Sequence, residues 1–271
     1  MTKSAATHAR LSLAFSPCPN DTFMFDAMVH RRIDTEGLQF DVHLADVEAL
    51  NHAALHHTYD ITKLSYHAYA YATAHYAMLP AGSALGFGNG PLLVSARPLR
   101  DDELAAARVA IAGRYTTSVA LLKAAFPQVT DLRETLFSNI EQMVLRGDAD
   151  AGVLIHEGRF TYAQKGLRLI ADLGARWEAK TRQPIPLGGI AMRRTHPAAL
   201  QQTVARVLRR SIEYALAHPD AGAAFVREHA QEMDEQVIKQ HISLYVNRYS
   251  LDLGDDGLKA VHYFLKQISV K

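Results

Sequence analysis

Apolar residues recur at every second position through Leu38, Phe40, Val42 and Leu44, which predicts a strand with one buried face. Apolar runs at 11–15, 60–64, 92–96, 108–112, 152–155, 167–170 and 185–192 predict further strands. Between them lie helical patterns. The first is an amphipathic helix over 21–30, where Asn20 or Asp21 can cap; the second runs to Leu55 from a cap at Asp46. Ser65 opens a helix bearing Tyr66, Tyr69 and Tyr76, and further helices are predicted over 116–126, 138–145 and 175–181. Ser138 and Glu141 have the spacing of a capping box, and Gly147 ends that helix. From Pro197 onward the pattern is helical throughout, over 197–217, 219–229, 234–246 and 255–268.

Alternating strands and helices followed by a helical tail predict an α/β fold of two lobes. The rhythm restarts near Arg97-Pro98, so residues 1–96 plus 190–271 are expected to form one lobe and 97–189 the other, joined by two hinge crossovers.

Composition narrows the partners. Lys and Arg total 29 against 28 Asp and Glu, a net charge of +1, so no global field favours nucleic acid or an anionic membrane. Anion binding must then be local. The one cysteine, Cys18, cannot close an intramolecular disulfide and fits a reducing compartment. No apolar run approaches the ~20 residues of a membrane helix, and only 11–15 follow Arg10 where a secretory signal needs a longer apolar core. A soluble cytoplasmic protein is expected; oligomeric state is not readable.

Ligands of open α/β sheets sit at strand carboxyl ends, against the N-termini of the following helices. Four segments have that arrangement. Ser16-Pro17-Cys18-Pro19-Asn20-Asp21-Thr22-Phe23 joins a strand to a helix, and its prolines stiffen the loop. Thr62-Lys63-Leu64-Ser65 joins another pair, where Ser65 reads as a cap or as a ligand-binding hydroxyl. Thr116 and Thr117 follow Gly113 and carry the same two readings. His156 follows the apolar strand at 152–155, and an imidazole titrates where a general base is needed. If the chain stays extended there, His156 and Glu157 point to opposite sides.

Other candidates lose on context. Cys18 lies between two prolines with no base nearby in sequence, which favours a buried thiol over a nucleophile. The glycines at 82–90 precede a strand, so they are no dinucleotide loop, although backbone contacts to a ligand stay open. His56-His57 lacks metal-site spacing and no Cys pair exists, so no metal is expected. Tyr66, Tyr69, Tyr71, Tyr76 and Trp177 read as packing residues.

The octapeptide 16–23, Thr62-Lys63-Leu64-Ser65-Tyr66, Gly113-Arg114-Tyr115-Thr116-Thr117 and His156-Glu157 with Arg159 to Tyr162 together resemble the 1,4-dihydroxy-6-naphthoate synthase family of the futalosine route to menaquinone. Asp172-Leu173-Gly174, Pro184 to Gly188, Tyr245-Val246-Asn247 and Ser250 to Gly254 extend the resemblance from about residue 11 to 265. It implies a two-lobed type II periplasmic-binding-protein-like fold and cleavage of cyclic dehypoxanthine futalosine to 1,4-dihydroxy-6-naphthoate and dihydroxyacetone. It also implies a small anionic substrate, no cofactor, His156 as proton acceptor, and Lys63, Leu64, Ser65, Thr116 and Thr117 as substrate-binding residues. Ser16, Asn20, Asp21 and Thr22 would form a cleft wall, and Glu157 a support or lobe contact. Chorismate dehydratase of the same pathway and a non-catalytic solute-binding protein are the competing expectations.

Overall fold

A computed structural model describes residues 9–230 and 234–268. The strands are β1 (Arg10–Phe15), β2 (Gln39–Leu44), β3 (Ile61–Ser65), β4 (Tyr76–Met78), β5 (Ala84–Gly86), β6 (Leu92–Ser95), β7 (Val109–Ile111), β8 (Leu132–Glu134), β9 (Ala151–Leu154), β10 (Arg168–Asp172) and β11 (Ile185–Arg193). Among and after them run α1 (Pro19–Val29), α2 (Val47–Leu55), α3 (Tyr66–Ala72), α4 (Asp101–Ala105), α5 (Thr117–Ala125), α6 (Ile140–Arg146), α7 (Gly158–Thr161) and α8 (Leu173–Thr181). The tail holds α9 (Ala198–Ala217), α10 (Ala223–His229), α11 (Glu235–Tyr245), α12 (Arg248–Leu251) and α13 (Gly254–Gln267).

Two sheets form. The first has the order β2-β1-β3-β11-β4 with β5 also on β11, and the second the order β10-β6-β9-β7-β8. In the first sheet β1 runs parallel to β2 and β3, whereas β11 returns antiparallel to β3. In the second, β7 is parallel to β8 and β9, and β6 is antiparallel to β9 and β10. The chain therefore crosses between sheets at 87–91 and again at 182–184. Both crossings come earlier than the expected 97 and 189. Leu92–Ser95 is taken up as the partner of β9 and β10 before the Arg97-Pro98 break is reached, and Ile185 already pairs with Gly86.

Helix α1 is buried from Pro19 to Met28, with the tail helices α9, α10 and α11 around it and Phe15 of β1 stacked on its Phe25. A helix wrapped on all sides has no solvent face, so the expected amphipathic pattern is absent. Ser211 of α9 donates to the Met24 carbonyl at 2.6 Å and accepts from Met28 N–H at 3.1 Å, which locks the two helices in register.

Three local expectations fail. Tyr76 lies outside the helix that carries Tyr66 and Tyr69; α3 ends at Ala72, and Tyr76 starts β4 opposite Arg193, its hydroxyl donating to the Tyr59 carbonyl at 2.6 Å. Its spacing of seven from Tyr69 matches two helical turns, which is why periodicity misassigns it. Ser138 sits in a short 3-10 turn ahead of α6, and α6 begins after Asn139 with no side-chain cap, so the capping box is not made. Helix α1 starts at Pro19, a favoured first helical residue, which leaves Asn20 and Asp21 inside the first turn instead of capping it.

Candidate active site

A cavity of about 80 Å³ opens between the two sheets, lined by residues of both. Asn20, Lys63, Ser65 and Gly188 line it from the first sheet and its helices; Thr116, Thr117, Ser118 and His156 line it from the second. Tyr245, at the end of α11, closes one side.

Three helices aim their N-termini here: α1 through Asn20, α3 through Ser65, and α5 through Thr116 and Thr117. None of the three has a side-chain cap. Their positive dipole ends face the cavity, which suits an anion, while the His67 N–H of α3 is taken by Thr117 Oγ1 at 3.3 Å and the Asp21 N–H of α1 by the Cys18 carbonyl at 3.0 Å. The hydroxyls that would ordinarily cap are engaged elsewhere. Ser65 accepts from Asn51 Nδ2 at 3.2 Å, while Asn51 Oδ1 accepts the Ser65 N–H at 2.9 Å. Thr116 Oγ1 donates to the Gly113 carbonyl at 2.8 Å, and Thr117 Oγ1 donates across to the Leu187 carbonyl at 2.7 Å. Thr117 is thereby a direct tie between α5 and the returning strand.

The loop before α5 has no spare room. Gly113 has φ +153°, and a Cβ there would fall 2.2 Å from Glu48 Cδ, so only glycine fits. Glu48 fills that space because its Oε1 accepts the Tyr115 N–H at 2.9 Å and its Oε2 accepts from Asn51 at 2.9 Å. Burial raises the Glu48 pKa, with the Tyr115 N–H opposing.

Lys63 extends into the cavity wall as the cation of a buried ion pair with Asp21. Asp21 is completely buried and also accepts from Ser16 Oγ at 2.7 Å and Asn20 Nδ2 at 2.8 Å. Every partner of this carboxylate is a donor. Asp21 and Ser16 therefore stand behind the wall and anchor it. Thr22 lies behind it too, donating to the carbonyls of Cys18 and Pro19 within α1, and Leu64 is wholly buried in the strand core. Of the expected wall, only Asn20 reaches the cavity.

His156 begins the turn after β9 with φ +57°, and Glu157 is already in the right-handed helical region. The chain is not extended, so the opposite-sides argument does not apply. Burial, then the nearby Lys63 charge, lowers the His156 pKa to about 4, with Asp21 pulling the other way. At neutral pH its imidazole is uncharged and able to accept a proton. Cys18 Sγ lies 3.7 Å from His156 Nε2, a base in space that sequence distance hid. Burial above all, with Glu157 and Asp21, pushes the thiol pKa up, so it stays protonated and is a poor nucleophile.

The two arginines near these motifs diverge. Arg114 is exposed and pairs with Glu134, outside the cavity. Arg159 donates to the Gly90 carbonyl and lies 3.6 Å from Asp172, bracing the wall beside Pro91. Among the described residues, no group of three or more His, Cys, Asp or Glu side chains could hold a metal ion, and no helix is long and apolar enough to cross a membrane.

A family model described as menaquinone biosynthesis matches residues 11–269. The chain belongs to the menaquinone-biosynthesis family. It is 45% identical over 251 residues to a 1,4-dihydroxy-6-naphthoate synthase of Thermus thermophilus, covering 93% of this chain and 91% of that one. A Streptomyces coelicolor protein of the same name is 40% identical over 266 residues, covering 96% and 93%. A crystal structure of an Archaeoglobus fulgidus protein matches with TM-score 0.91 at 34% identity, over 96% of this chain and 97% of that one. A Candida albicans protein described as having the generic periplasmic binding protein fold matches with TM-score 0.67 at 16% identity, over 97% and 91%. This menaquinone-biosynthesis protein thus has a periplasmic-binding-protein-like α/β fold.

Of the cavity residues of this family member, Val47 and Pro91 lie outside every candidate segment, while Ala84, Asn89 and Ile155 fall within segments that sequence places near the ligand without being singled out. Tyr245 was noted only as part of a matching segment. His241, completely buried behind the cavity, carried no signal at all among 14 histidines.

Proposed function

We propose that this protein cleaves cyclic dehypoxanthine futalosine to 1,4-dihydroxy-6-naphthoate and dihydroxyacetone, as a carbon–carbon lyase of the futalosine route to menaquinone. One observation carries the reading: an uncharged imidazole, His156, lies in a cavity faced by Lys63 and by the N-terminal ends of α1, α3 and α5. The relatives named for this product add their weight. Lys63 and Ser65 hold the anionic substrate from one sheet, and Thr116 and Thr117 from the other; Leu64 supports them through the strand backbone. The two sheets act as lobes that close on the substrate, hinged at 87–91 and 182–184.

In the reaction His156 accepts a hydroxyl proton. The oxygen electron pair becomes a carbonyl as the adjacent C–C bond breaks, the electrons of that bond pass into the ring, which aromatises, and the proton held by His156 returns to the departing products, so that substrate and products balance. A cytoplasmic location, suited to a single free cysteine, completes the proposal.

The pH profile follows from the lowered pKa of His156. The base form persists below the usual histidine range and is lost as pH falls through about 4, so kcat/KM holds through pH 6.5 and falls only near 4. The limb of kcat lies higher, because a bound anion favours the imidazolium. A kcat/KM limb centred near pH 6.5 would refute the environment assigned to His156. Incubation with the cyclic substrate and with chorismate, each followed by product analysis, tests the reaction itself. Release of dihydroxyacetone from the first is expected; turnover of chorismate would favour the dehydratase. A substrate recovered unchanged from a tight complex would favour a binding protein, the reading to which the fold lends support.

A further inference from the structure

His241 on α11 is completely buried, its ring stacked on that of His156 with centroids 5.8 Å apart and planes 12° from parallel. Its Nε2 lies 2.9 Å from Asn20 Oδ1. Asn20 Nδ2 donates in turn to Asp21 Oδ1 at 2.8 Å. The chemistry of the partners fixes the hydrogens along this line. Asp21, surrounded by the donors Lys63, Ser16 and Asn20, can only accept, so the Asn20 amide must turn its NH2 group toward it. The Asn20 oxygen then faces His241, whose Nε2 must carry a hydrogen. Burial, with His156 and Lys63 nearby, keeps His241 uncharged, so that hydrogen is its only ring hydrogen. Its Nδ1 faces Glu157 Oε2 at 3.7 Å.

An amide has two N–H hydrogens, and Asp21 takes one. Asn20 is 4% exposed, yet it lines the cavity. We infer that His241 is a positioning residue that, with Asp21, orients the Asn20 amide to donate its second N–H to an oxygen acceptor on the bound substrate, beside His156. Identification of the acceptor rests on the reaction proposed above; the Asp21–Asn20–His241 line does not. Without the His241 hydrogen bond only the Asp21 contact restrains the amide, and its second N–H is no longer held in line with the cavity.

The test is a mutant cycle on kcat/KM with the cyclic substrate, each variant checked for native far-UV circular dichroism. His241→Phe keeps an aromatic ring but removes the donor, and the expected loss is about 10- to 100-fold, comparable to Asn20→Ala. In the Asn20→Ala background, His241→Phe then costs less than about 2-fold more, because the group it positions is gone. His241→Gln, whose amide N–H reaches the Nε2 position, stays within about 3-fold of wild type. Additive losses in the cycle, or a glutamine variant as impaired as phenylalanine, would overturn the assignment. Imidazole 15N spectra of the substrate-free wild-type protein provide a readout independent of turnover. They are expected to show His241 protonated at Nε2, and a hydrogen on Nδ1 instead would overturn the inference even if the enzyme is active. If no substrate turns over while the spectra show the expected tautomer, the reaction fails and the hydrogen-bonded line stands.

Discussion

Replacement of His156, the proposed base, by asparagine is expected to lower turnover of the proposed cyclic substrate about 10²- to 10⁴-fold, the range a positioned base contributes. Asparagine is the informative substitution because His156 has φ +57°, a left-handed conformation that asparagine adopts more readily than most residues. Alanine would add backbone strain to the loss of the base. In the proposed complex Lys63, Ser65, Thr116 and Thr117 still hold the substrate, so its dissociation constant is expected to stay within about 10-fold of wild type. Single-turnover kinetics together with equilibrium binding separate the two effects. Near-normal turnover would remove His156 from the mechanism; a lost binding signal with turnover intact at saturation would make it a binding residue instead.

Substitution of Asp21 by asparagine destabilises the protein by about 3–5 kcal/mol, because it strands the Lys63 ammonium in the interior. Asp21 is completely buried and the Lys63 side chain is 9% exposed, so water offers the cation little compensation. The same change replaces one of the two carboxylate oxygens with an NH2 group; Oδ2 accepts from Ser16 and Oδ1 from Asn20, so one of these ties between the loop after β1 and the first turn of α1 is lost. The midpoint of urea unfolding, followed by circular dichroism, measures the loss. Adding Lys63→Met in the same chain recovers part of it, since an uncharged buried side chain has no desolvation penalty. A loss below about 1 kcal/mol would mean that the pair is solvated. A double variant less stable than Asp21→Asn alone would mean that the lysine stabilises the fold without its partner.

How much of this was legible differs from element to element. The runs that became β1, β7 and β11 were readable because strands buried on both faces are continuously apolar. Tyr76–Met78 and Leu132–Glu134 escaped because three residues are too few to display a period, and pairing with a neighbour alone defines such strands. Helix α1 was found with its start two residues late and with an amphipathic face that its surroundings remove. At the cavity, the segments holding Lys63, Ser65, Thr116, Thr117 and His156 stand out by their places after strands, the family resemblance singles out these residues within them, and one cavity gathers them. Leu64, Ser16, Asp21 and Thr22 were named from the same segments but lie behind the wall. Motif membership does not say which way a side chain turns.

Local order, the chain's alternation of strand and helix, and the helix starts that follow strands were determined by the sequence itself, since periodicity and punctuation act over a few residues. Only the tertiary structure decided that β6 joins the second sheet, that Cys18 meets His156 across 138 positions, and that His241 meets Asn20 across 221. The physical reason is common to all three. Sheet pairing and buried hydrogen bonds depend on which groups the folded chain brings within about 3 Å, and no local pattern encodes a partner that far along the sequence.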